Sequence, residues 1–188
     1  MRSDLPNDPR ISFKELDLTH SLSIESMIRL ESPDVVLHAA ALSKPDDCER
    51  DPTRANRINT EATHQLLQAA SSVGSYFCYI STDFVFDGEA GPYKETDQPH
   101  PLSVYARSKY EAERLLQDVN GLNYSVVRTI IVYGQGEQLS RSNLILWAKE
   151  ALQSAKPLNI VDDQFRAPTW AADLAWACVR ICELDQTG

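Results

Sequence analysis

Tyr105 and Lys109 stand four residues apart in the segment 105–109 (YARSK), inside a run whose spacing predicts a helix over 104–119. Residues at this spacing share one helix face, so a phenol and an ammonium can converge on a single substrate atom. A free phenol titrates near pKa ~10 and is a poor acid or base at neutral pH unless a nearby cation favours its ionised form. Lys109 can supply that cation. The same pentapeptide also describes an ordinary solvated helix face, so its surroundings matter. Residues 81–88 (STDFVFDG) follow an expected strand over 75–81, which places the Thr82 hydroxyl, with Asp83 beside it, at the strand's carboxyl end. In an open parallel sheet that end is where ligands bind.

The elements that must hold these groups alternate between strand and helix, the pattern of a parallel α/β fold. Residues 34–41 (DVVLHAAA) read as a buried central strand. Residues 51–72 carry apolar side chains at helical spacing, with Asp51 as N-cap, Pro52 in the first position and Gly74 as the stop. Strands are expected over 11–18, 75–81, 124–133 and 158–161, and helices over 22–31, 104–119, 142–154 and 170–184. No internal repeat or long linker divides the chain, which reads as one domain over 1–188. There is no GxGxxG: Gly134 and Gly136 give the first pair, but position 139 is Leu and the pair follows the wrong strand.

Composition removes several function classes. The 188 residues are 43% apolar, ample for a packed core, and carry 18 Lys plus Arg against 27 Asp plus Glu, a net charge of −9. Nucleic acid and anionic membranes need the opposite field, so neither is an expected partner. No apolar run approaches the roughly 20 residues that span a bilayer. Residues 1–10 (MRSDLPNDPR) are too polar for the centre of a signal peptide, and a cytoplasmic protein is expected. Cys48, Cys78, Cys178 and Cys182 are scattered without metal-ligand spacing, and His20, His38, His64 and His100 are unpaired. Buried thiols and no metal site are expected.

Several stretches in fixed order, from about residue 17 to 173, carry a resemblance: 17–19 (DLT), 34–41, 58–59 (IN), 80–88 (ISTDFVFDG), 92–97 (PYKETD), 101–109 (PLSVYARSK), 127–134 (VRTIIVYG) and 162–174 (DDQFRAPTWAADL). The chain resembles the extended short-chain dehydrogenase/reductases, most closely their dTDP-4-dehydrorhamnose reductase branch. The resemblance implies a Rossmann-like, doubly wound parallel sheet and an NADPH- or NADH-dependent reduction of a keto group on a nucleotide-linked sugar. Thr82 would hold the substrate carbonyl, Tyr105 would donate its proton, and Lys109 would lower the Tyr105 pKa while holding the nicotinamide ribose. Asp17, Leu18, Ala39, Ala40 and Ala41 would line the cofactor, and Asn59 would support Lys109 through water. Ser43, Lys44, Asp83, Arg166 and Pro168 would meet substrate, with Thr169 in the same closing segment.

Plainer roles stay open beside these: a helix N-cap for Asp17, core packing for the three alanines, a capping or surface Asn59, a solvated loop for Ser43 and Lys44, and a surface Arg166. A homodimer is a possible assembly. Two other functions share the pattern, a non-catalytic subunit similar to the regulatory beta subunit of methionine adenosyltransferase, and a nucleotide-sugar epimerase or dehydratase. In the resembled family a strand, a glycine-rich phosphate-binding turn and a helix precede the matching segment, and a substrate lobe follows it. Neither is in this sequence, so the fold is expected to be incomplete at both ends and cofactor binding and turnover impaired, as in a fragment or a truncated paralogue.

Overall fold

Residues Tyr76–Thr82 (YFCYIST) form strand β2, and every one except Ile80 is buried. Such a strand requires cover on both faces. The computed structural model describes residues 8–134, 144–155, 157–185 and 187; Gly136, Leu139, the start of the expected helix 142–154 and most of the polar N-terminal segment lie outside them. Strands β1 (Val35–His38) and β3 (Tyr124–Thr129) pair parallel to β2 on its two sides, with Val35 opposite Tyr76 and Phe77 opposite Tyr124. Parallel neighbours need crossovers, usually helical. Helices α2 (Pro45–Arg50), α3 (Pro52–Asn56) and α4 (Ala62–Val73) connect β1 to β2, and α5 (Val104–Asp118) connects β2 to β3.

The core forms where alternate β2 residues meet these helices. Phe77 and Tyr79 pack against Leu66, Leu67 and Ala70 of α4, Ala112 and Leu116 of α5, and Ile24 and Ile28 of α1 (Ser21–Glu31). Cys78 faces the other way, where it meets buried Cys178 of α7 (Ala171–Glu183). Helices therefore lie on both faces of a parallel sheet, the α/β arrangement expected. Asp51 accepts a hydrogen bond from the Arg54 amide at 2.9 Å and Pro52 opens α3, while Gly74 ends α4 at φ 76°, a left-handed conformation that suits a residue without Cβ.

Four expectations change. Residues 11–18 form no strand: Leu16 and Leu18 pack on the core, Ile11 and Phe13 stay exposed, and among the described residues β1 pairs with β2 alone. Periodicity marks an apolar face, but a strand also needs a ladder partner. The expected strand 124–133 breaks after Thr129, and Val132–Tyr133 (β4) pairs instead with Thr169–Trp170 (β5). Residues 158–161 form no strand either, with Ile160 and Val161 largely exposed. The expected buried strand 34–41 is only Val35–His38, with Val35 and Leu37 exposed, and helix α2 follows in a stretch given no element, opened by Pro45 with Asp46 and Asp47 in its first turn.

By internal contacts the chain forms two compact units, 16–129 with 176–188 and 1–15 with 130–175. The first holds the three-stranded sheet. The second holds β4, β5, α6 (Leu144–Gln153) and the opening turn of α7.

Within the first unit one ion pair joins three segments. Arg128 at the end of β3 donates through Nε and Nη2 to the Glu113 carboxylate of α5, at 3.1 and 2.7 Å, and through Nη1 to the Glu95 carbonyl at 3.1 Å. Its guanidinium also lies over Phe86, which stacks on Tyr93 at 4.4 Å. Glu113 is almost wholly buried, so removing its partner strands a charge. Arg128→Met is expected to cost about 3 kcal/mol in urea unfolding, and adding Glu113→Leu to recover most of that. Equal losses in the single and double variants would contradict this role for the pair.

Candidate functional site

Three side chains gather at the carboxyl end of β2. Thr82 ends the strand; its hydroxyl donates to Asp83 Oδ1 and accepts from the Phe84 amide, both at 3.2 Å, capping the short 3₁₀ turn Asp83–Val85. Lys109 reaches in from α5 and donates from Nζ to the Ile80 carbonyl at 2.7 Å. Tyr105, one turn earlier on α5, meets the Phe84 ring edge-on at 6.2 Å. The helix is anchored where it matters: the Ser103 hydroxyl accepts from the Ala106 amide, Glu49 of α2 accepts from the Val104 amide at 2.7 Å, and Thr60 donates to the Ser108 carbonyl at 3.0 Å.

Burial sets the electrostatics. Lys109 is 2% exposed, and desolvation lowers its pKa to about 7, opposed by the Glu113 carboxylate one turn further along. Its Nζ lies 4.1 Å from the centroid of the Tyr79 ring. His38, at the end of β1, is lowered to about 4 by burial and then by the Lys109 charge, so its imidazole is neutral at pH 7. Thr63 donates to the Asn59 carbonyl at 2.7 Å, so the 3.0 Å contact between His38 Nε2 and Thr63 Oγ1 is a donation from the ring. Hydroxyl, phenol and ammonium at one strand end can bind a carbonyl oxygen, stabilise the negative charge it develops, and give it a proton.

Asn59 is 1% exposed, which removes its surface reading. It sits in a π turn (Arg57–Glu61) between α3 and α4. Its side chain accepts from the Leu42 amide at 2.7 Å and donates both amide hydrogens, to the Leu42 carbonyl at 3.1 Å and Ser108 Oγ at 2.9 Å. Ser108 in turn donates to the Tyr105 carbonyl at 2.8 Å. The segment after β1 is thereby tied to the helix carrying Tyr105 and Lys109. Ala39 and Ala40 on that segment are exposed, so core packing does not explain them, while Ala41 is half-buried and Ser43 and Lys44 are exposed.

Asp17 is exposed and closes a turn on itself, accepting from the Thr19 amide at 2.8 Å and Thr19 Oγ1 at 2.7 Å. The N-cap position belongs to His20, so the capping alternative for Asp17 misses by three residues. Leu18 packs against the core. Arg166 and Pro168 are exposed in the second unit, Arg166 3.4 Å from Gln164 Oε1, and Thr169 opens β5.

Sequence reasoning did not single out Glu113, Arg128 or Tyr79. Glu113 had a signal, since it follows Lys109 by four residues on the Tyr105 face of α5.

The Lys109 environment gives a pH prediction. Between about 7 and the ordinary 10.5, the unfolded chain holds a proton on this residue that the folded chain has lost. Stability from this group therefore rises with pH across that window. Lys109→Met should stabilise most at pH 6, with the gain shrinking steadily toward pH 10.5, in urea midpoints measured along a pH series. A gain independent of pH would contradict the buried charge.

Comparison with known proteins places these features in a family. The family model described as the RmlD substrate binding domain matches residues 8–187. Methionine adenosyltransferase 2 subunit beta of Bos taurus is 34% identical over 174 residues, covering 93% of this chain and 52% of that protein. A dTDP-4-dehydrorhamnose reductase of Aggregatibacter actinomycetemcomitans is 34% identical over 174 residues, covering 92% and 58%. The crystal structure of dTDP-4-dehydrorhamnose reductase from Bacillus anthracis in complex with NADP superposes with a TM-score of 0.85 at 28% identity, covering 92% of this chain and 60% of that one. The chain thus spans between half and two thirds of the length of these relatives. On the match over residues 8–187, it belongs to the RmlD substrate binding domain family.

Proposed function

We propose that the chain carries the proton-donating face of an NADPH- or NADH-dependent reductase that acts on a keto group of a nucleotide-linked sugar. The observation that carries this reading is the convergence of Thr82, Tyr105 and Lys109 at the carboxyl end of β2, with the Lys109 ammonium held on the Ile80 carbonyl. In this reading Thr82 turns its hydroxyl from Asp83 to the substrate carbonyl, a local exchange of one hydrogen bond for another. Tyr105, half-buried, donates to the same oxygen and passes its proton to it as charge develops. The charged Lys109 favours the phenolate left behind.

A nicotinamide cofactor fits the donor set: the ammonium can hold ribose hydroxyls, and Ala39 and Ala40, exposed beyond β1, leave backbone open to a ligand. When bound, such a cofactor supplies the hydride. Ala41, Leu18 and Asp17 complete the proposed cofactor contacts, and Asn59 supports Lys109 by fixing the helix that carries it. Ser43, Lys44, Asp83, Arg166 and Pro168 are the proposed substrate contacts. A cytoplasmic, dTDP-rhamnose-forming role and a homodimer belong to the same reading.

The similarity to methionine adenosyltransferase 2 subunit beta supports a second reading, a binding subunit of such a synthetase. Oxidation of NADPH in the presence of dTDP-4-dehydrorhamnose separates the two. With cofactor binding expected to be impaired, the reductase reading predicts weak turnover that falls by roughly 10²-fold or more in Tyr105→Phe. No turnover, together with co-elution with a methionine adenosyltransferase catalytic subunit, would favour the second.

A further inference from the structure

We propose that Tyr79 is a positioning residue for Lys109: the face of its ring on β2 holds the ammonium at the carboxyl end of that strand, on the helix face that also carries Tyr105. Lys109 Nζ makes one hydrogen bond among the described residues, to the Ile80 carbonyl at 2.7 Å, and lies 4.1 Å from the Tyr79 centroid. An ammonium has three N–H donors and is costly to bury with two of them unmet. The electron-rich face of an aromatic ring is the next best partner, and its attraction grows as water is excluded.

The other groups around Lys109 do not replace it. The Glu113 carboxylate, one turn along α5, is taken by the two-point pair with Arg128. His38 of β1 stacks on the same Tyr79 ring, with centroids 5.7 Å apart, and is neutral at pH 7, so it adds no competing charge to that ring. Tyr105 lies on the same helix and is the group that the ammonium serves. Tyr79 itself is 0% exposed, its phenol held protonated by burial, so its part is played by the ring.

The contact stands on geometry alone; only its consequence for turnover rests on the reductase reading. The test is the titration of Lys109, followed by NMR in protein carrying ¹³Cε-labelled lysine and assigned with Lys109→Met. Tyr79→Phe keeps the aromatic face and should titrate as the native chain does. Tyr79→Leu, and Tyr79→pentafluorophenylalanine with its reversed ring charge, should lower the Lys109 midpoint by roughly half a unit to one unit, a three- to ten-fold change in the charged fraction.

If the leucine variant does not melt cooperatively, the phenylalanine and pentafluorophenylalanine pair, alike in shape, decides the matter. Identical midpoints in that pair would overturn the proposal. NADPH oxidation by the same proteins separates the two ideas. A shifted midpoint with no turnover in any variant sinks the reductase reading and leaves Tyr79 its role, whereas turnover with an unmoved midpoint does the reverse.

Discussion

At the centre of this fold is a charge that burial opposes. The Lys109 ammonium is withdrawn from water, lies over an aromatic ring and is bonded to a carbonyl of the central strand. Desolvation of that kind is tolerated only where the surroundings are fixed, and the neighbouring elements supply the fixing. Helix α5 is capped by Ser103 and Glu49, held at Ser108 by Thr60 and Asn59, and tied to β3 by the Glu113–Arg128 pair. Each of these bonds restrains the helix face that carries Tyr105 and Lys109.

The π turn between α3 and α4 has a physical reason in the same frame. An extra residue in the turn directs Asn59 inward, where one amide side chain satisfies both backbone groups of Leu42 and the Ser108 hydroxyl. Such turns recur at functional sites because they re-aim a side chain that a regular helix would carry elsewhere. Here the aim joins the segment after β1 to α5.

Much of this was legible in the sequence, for reasons that can be named. The continuous apolar run of β2, the helical spacing of 51–72 with Asp51, Pro52 and Gly74 at its limits, and the four-residue step from Tyr105 to Lys109 are local signals, and the structure forms each element. The segments 11–18 and 158–161 read as strands because alternation reports an apolar face and is silent about a pairing partner. The break after Thr129 and the pairing of β4 with β5 depend on residues far apart in the chain, as does the bond between Glu113 and Arg128. Tyr79 looked like one more apolar strand residue; its place under an ammonium is a product of packing.

The family accounts for the pattern of motifs, and the local chemistry accounts for why those residues need one another. In the proposed function the buried ammonium of Lys109 belongs to a cofactor site. Calorimetric titration of NADPH and NADH into the purified chain puts this to the test. Weak but saturable binding of one of them is expected, in keeping with a sequence that has no GxGxxG turn, and Lys109→Met should weaken it about tenfold further. Binding untouched by that substitution, or none of either nucleotide, would contradict it.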